Sequence, residues 1–142
     1  MTPFTALQAL CGLSNREAAA YLDIGEKHVE KLRSGARTPA PAMLAELQKL
    51  WTLIEQAAVD GAEAMTAEGI LENDVKIEIG YPVDDHEAES LGFPCIGAWR
   101  QMAARLMDEL VMMDDGFDLG RISFVPRGST PSTAAAMDAH GQ

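Results

Sequence analysis

The chain has 142 residues, of which 47 % are hydrophobic and 23 % charged, with a net charge of −11. That is enough apolar material to build a core, which excludes a disordered chain, and no run reaches the roughly 18 apolar residues of a membrane span. Met1-Thr2-Pro3-Phe4 does not open a basic region followed by an apolar one, so a cytoplasmic protein with no membrane partner is expected.

The first third reads as short helices separated by turn residues. Phe4, Leu7, Leu10 and Cys11 follow three- and four-residue steps and predict a helix over about 3–11, ended by Gly12. Ser14 and Glu17 form an S-x-x-E capping box, so a second helix starts at Asn15 and buries Ala18, Ala19 and Leu22. A third helix begins near Glu26 with Gly25 as its N-cap, turns Val29 and Leu32 inward and stops at Ser34-Gly35. The connector Arg37-Thr38-Pro39-Ala40-Pro41 leads into a longer helix, whose apolar positions Met43, Leu44, Leu47, Leu50, Trp51, Ile54 and Ala58 keep helical spacing to about Val59.

The second half changes character. Val75-Lys76-Ile77-Glu78-Ile79 alternates with period two and predicts a half-buried strand closed by Pro82. Asp84 to Glu89 reads as an acidic loop. Ile96, Trp99, Met102, Ala103, Leu106, Leu110 and Met113 mark an amphipathic helix from about Cys95 to Met113, and Ile122, Phe124 and Val125 a second strand between Gly120 and Pro126. From Gly128 to Gln142 large apolar residues are scarce and a flexible tail is expected. Cys11 and Cys95 share no motif spacing and sit among apolar residues, so both are expected to be buried free thiols.

Charge is distributed unevenly. Residues 1–40 carry five cations (Arg16, Lys27, Lys31, Arg33, Arg37) against four acids, a net +1, whereas the remainder carries six against eighteen, a net −12. One end is thus able to approach a polyanion that the other repels.

The segment Leu10-Cys11-Gly12-Leu13-Ser14-Asn15-Arg16-Glu17-Ala18-Ala19-Ala20-Tyr21-Leu22-Asp23-Ile24 resembles the entry to a Cro/repressor-type (Xre-like) helix-turn-helix. Gly25 to Pro39 resembles the recognition helix of that family and the loop after it. One departure is Asp23, where the family has Gly in a left-handed backbone that Asp tolerates at some strain. The resemblance implies a DNA-binding protein that presents its third helix to the major groove. Glu26, Lys27, Glu30 and Lys31, with His28 at the margin, are then the base-contact residues, suited to guanine O6/N7 and cytosine N4. Asn15, Arg16, Arg33, Arg37 and Thr38 become phosphate contacts. An ordinary solvated helix face with local ion pairs is the bland alternative.

Further along, Ile96-Gly97-Ala98-Trp99-Arg100 is loosely similar to the C-terminal half of small phage-borne helix-turn-helix regulators associated with anti-CRISPR operons. That resemblance implies a second half that dimerises and a protein that represses its own operon. Trp99, Met102, Leu106 and Leu110 are the expected dimer interface, and the other methionines of the same stripe (Met107, Met112, Met113) are core or interface filler. His86 lies among Asp84, Asp85, Glu87 and Glu89, without the second histidine that would make a metal site. No nucleophile elbow, phosphate-cradling loop or Cys-His signature points to an enzyme, and no cofactor or metal is expected.

The reading is a mainly α (α+β) protein: a helix-turn-helix domain over 1–60, an acidic α+β dimerisation or interaction domain over 61–127, and a tail over 128–142. Its function is that of a dimeric transcriptional repressor on an inverted-repeat operator. The alternative is an antitoxin or adaptor whose acidic half binds a protein partner; a DNA mimic is disfavoured by the cations of the head.

Overall fold

A computed structural model describes residues 1–128; the expected tail beyond Gly128 lies outside the described residues. The chain is mainly helical with one two-stranded parallel sheet, in agreement with the α+β expectation. Helix α1 (Pro3–Leu10) starts on Thr2, whose hydroxyl accepts from the Thr5 N–H at 3.1 Å, with proline in the first turn where its missing N–H costs nothing. Helix α2 (Asn15–Leu22) has the full capping box: Ser14 Oγ accepts from Glu17 N–H at 3.1 Å, and Glu17 Oε1 accepts from Ser14 N–H at 2.9 Å. Helix α3 (Glu26–Ser34) follows Gly25 and stops at Gly35, whose φ of 84° is left-handed. Phe4, Cys11, Ala18, Val29, Leu32 and Leu47 have no exposed surface and join these helices into one core.

Helix α4 (Pro41–Ala67) runs eight residues past the end expected at Val59. Its inward stripe continues through Ala58 and Ala62, both fully buried, and a Cβ at Gly61 would stand 2.6 Å from Leu106 Cδ1. Small residues carry this stretch because a second helix lies close against it, so the large apolar signal fades while the helix goes on. The boundary expected at residue 60 therefore falls inside a helix, and one apolar cluster, from Phe4 and Leu13 to Cys95, Ala98 and Trp99, runs through both halves.

Strand β1 (Ile77–Tyr81) begins two residues later than expected. Val75 is 65 % exposed; its N–H donates to Asn73 Oδ1 at 3.0 Å and its carbonyl accepts from Arg121 Nε at 3.1 Å, so its polar groups are held outside the sheet. The Asp84–Glu89 segment is not a loop but helix α5 (Asp85–Ser90). Asp84 Oδ1 accepts from Glu87 N–H at 2.8 Å, Glu87 Oε2 accepts from Val83 N–H at 2.7 Å, and Ala88 is fully buried. Helix α6 (Ile96–Met113) receives its N-terminal cap from outside, as Asp85 Oδ1 accepts from Ile96 N–H at 2.9 Å. Strand β2 (Ile122–Pro126) pairs in parallel with β1, Ile77 opposite Ile122 and Tyr81 opposite Pro126, with α5 and α6 in the crossover.

Three of the four residues expected at a dimer interface are already covered within the chain. Trp99, Leu106 and Leu110 are 6 %, 6 % and 0 % exposed within a single chain, packed against α4 and the sheet, and Met102 is half-buried beside them. An amphipathic stripe seen alone does not reveal whether its complement lies in the same chain; here α4 supplies it.

Candidate nucleic-acid interface

Helices α2 and α3 meet through a tight turn. Asp23 takes φ 55° and ψ 50°, the left-handed conformation expected of it, with Ile24 N–H donating to Ala19 O at 3.0 Å. With Val29 and Leu32 fully buried, the geometry of a helix forces Glu26, Lys27, Glu30 and Lys31 outward; all four are exposed and His28 is half-buried. Among the described residues, the ion pairs within 4.0 Å all belong to Arg105 (with Glu55, Asp108 and Glu109), so neither Lys27 nor Lys31 is held by a carboxylate. The exit loop folds back onto α3, with Arg37 N–H donating to Lys31 O at 3.1 Å, which keeps exposed Arg37 and Thr38 at the end of that helix.

Of the remaining expected phosphate contacts, the structure joins Asn15 and Arg33 through one side chain. Asn15, in the first turn of α2, accepts at Oδ1 from Gln8 Nε2 at 3.0 Å, and Arg33, in the last turn of α3, donates from Nη1 to Gln8 Oε1 at 2.9 Å. Arg16 instead lines a cleft of about 730 Å³ whose other lining includes Glu17, Asp85, Glu89 and Cys95. Arg16 is exposed, and Asp85 and Glu89 of α5 line the same cleft.

Gln8 was not among the residues singled out from the sequence. It is 2 % exposed and, among the described residues, the polar side chain in the core. The signal was present: four residues after Phe4 and three before Cys11, Gln8 occupies the apolar face of α1, where a polar residue requires partners.

The two thiols are free and buried, as expected. Cys11 Sγ donates to Leu47 O at 3.2 Å. Burial pushes both thiols up to about 11, and for Cys95 the nearby Glu17 carboxylate acts in the same direction. Neither suits a nucleophile or a metal ligand at neutral pH. Among the described residues no group of His, Cys, Asp or Glu side chains is arranged to hold a metal ion, and no helix is long and apolar enough to cross a membrane.

The chain matches no protein-family model and no curated protein.

Proposed function

We propose that the protein is a sequence-specific DNA-binding regulator of the Cro/repressor type, acting as a dimeric repressor of its own operon from the cytoplasm. The observation that carries this reading is the α2–α3 pair: a capped helix, a left-handed turn at Asp23, and a following helix with Glu26, Lys27, Glu30 and Lys31 free on its outer face. Asn15, Arg33, Arg37 and Thr38 flank that face as phosphate contacts, and the charge split between the ends of the chain orients it toward a duplex. A single such helix reads only a few base pairs, so the reading calls for two copies about one helical turn apart. With Leu106 and Leu110 in the interior, pairing would draw on neighbouring surface. The apolar groove lined by Val83, Trp99, Met107 and Phe124 is suited to it, Val83 being 53 % and Phe124 37 % exposed.

The test is a gel shift of the purified protein on the promoter region upstream of its own gene, against a scrambled duplex, at two salt concentrations. Salt-sensitive retardation confined to the promoter duplex supports an autorepressor. Absence of binding at both salts, from a protein that light scattering shows folded and monodisperse, overturns it in favour of a protein partner for the acidic half.

A further inference from the structure

Gln8 uses its amide completely on the inner side. Both hydrogens of Nε2 are donated, one to Leu13 O and one to Asn15 Oδ1, each at 3.0 Å, and Oε1 accepts from Arg33 Nη1. The orientation is forced. Turned over, the amide would set its NH₂ against a guanidinium and its oxygen against two other oxygens, in a position 2 % exposed where water gives no relief. Three separate pieces of backbone therefore converge on one buried amide: α1, the turn into α2, and the end of α3. Thr5 of α1 adds a contact on the same side, its hydroxyl donating to Arg33 O at 3.4 Å.

The consequence lies on the outer side. Because Asn15 Oδ1 faces Gln8, the Asn15 NH₂ is turned away from it, at a half-buried position in the first turn of α2. Arg33 is held by one nitrogen and keeps its remaining N–H groups on an exposed side chain. The two groups hang from opposite ends of one amide, so their bonded atoms lie no more than about 8 Å apart, the span of two hydrogen bonds and the amide between them.

We propose that Gln8 is a positioning residue that makes a single phosphate clamp out of Asn15 and Arg33, without itself touching nucleic acid. This rests on the DNA-binding reading above. The ligand is one phosphodiester of a duplex: the Asn15 amide donates to one oxygen and the Arg33 guanidinium supplies charge and a second donor. Such a clamp carries no base preference. It fixes the register in which α3 meets the groove, and it makes the distance between the α2 N-terminus and the α3 C-terminus a property of one side chain.

The experiment measures affinity and its salt dependence on a duplex that the wild-type protein has selected from a random-sequence pool. The proteins are wild type, Gln8→Met, Asn15→Ala/Arg33→Ala and the triple variant. Gln8→Met, which keeps the length of the side chain and removes its polar atoms, is expected to weaken binding roughly tenfold and to reduce the salt slope by about one, with the order of preferred bases unchanged. In the Asn15→Ala/Arg33→Ala background the same substitution is expected to add nothing, because Gln8 acts through those two residues. Should Gln8→Met not fold, side-chain amide NMR of the wild-type protein decides: the Gln8 NH₂ signals stay protected and unmoved by duplex, while those of Asn15 shift. A folded Gln8→Met protein with wild-type affinity and slope overturns the proposal, as does full loss on adding it to the double variant or an Asn15 amide unmoved by duplex. A wild-type protein that selects no duplex overturns the DNA-binding reading itself; selection by wild type with an unaffected Gln8→Met overturns the clamp alone.

Discussion

Gly12 and Gly97 rest backbone against backbone. A Cβ on Gly12 would collide with the carbonyl of Gly97, and a Cβ on Gly97 with the carbonyl of Gly12. The turn between α1 and α2 is thus seated on the first turn of α6, with no side chain between them. Gly12 has a second reason to be glycine, its φ of +71°.

Within a helix, Gly→Ala ordinarily stabilises by roughly 1 kcal/mol. At Gly97, a helical position, the sign is expected to reverse, with Gly97→Ala losing about 1–3 kcal/mol because backbone, not a flexible side chain, must move. Urea unfolding of the two proteins measures it. Equal or greater stability of the variant would mean that the head and α6 do not meet as described.

Asp23 is the non-glycine residue with positive φ among those described. Asp23→Val is expected to cost about 1–2 kcal/mol, since a β-branched side chain is poorly accommodated there, while Asp23→Gly should lose nothing. Thermal unfolding of both variants separates backbone strain at the turn from any contribution of the carboxylate.

Lys27 and Lys31 are exposed and without ion-pair partners among the described residues, so removing either leaves the fold unaffected. Lys27→Ala or Lys31→Ala is expected to lower affinity for the selected duplex by about 1–3 kcal/mol, with relaxed preference at one base position. Wild-type binding by both variants would overturn the proposed role of α3 in base recognition.

The raised thiols predict a loss of stability at alkaline pH. In the fold Cys11 and Cys95 titrate near 11 instead of 9.0, so between those values the unfolded chain releases protons that the native chain retains. Stability contributed by the neutral thiols is complete below pH 9 and declines as pH rises toward 11. Urea midpoints measured across that range should fall, and the fall should be shallower in Cys95→Ala. A flat profile would show that the thiols ionise equally in both states.

The head was legible because its signals are local. A capping box, a left-handed turn residue and the inward pair Val29 and Leu32 each lie within a few residues of what they organise. The second half depends on partners distant in sequence. Nothing near Val75 reveals that Arg121 takes its carbonyl, and nothing in the stripe of Trp99, Leu106 and Leu110 reveals that α4 covers it. Helix α5 is a different case, for Asp84 and Glu87 carried a capping pattern in plain view, obscured by the acidity of the segment. Within the candidate site, the outer face of α3 followed from periodicity alone. The link between Asn15 and Arg33 required the buried amide of Gln8.

The seat of Gly12 on Gly97 also orders events during synthesis. A chain made only through α4 has its four N-terminal helices in hand, yet Cys11 and Leu13 still lack the part of their cover that comes from Cys95, Ala98 and Trp99. The head therefore emerges from the ribosome with an apolar underside, the kind of surface that chaperones and proteases recognise. Closing it requires α6, and β1 has its partner β2 only once the whole crossover has been made, a non-local pairing. A premature stop before α6 would thus leave a fragment without the seat that Gly97 provides for Gly12.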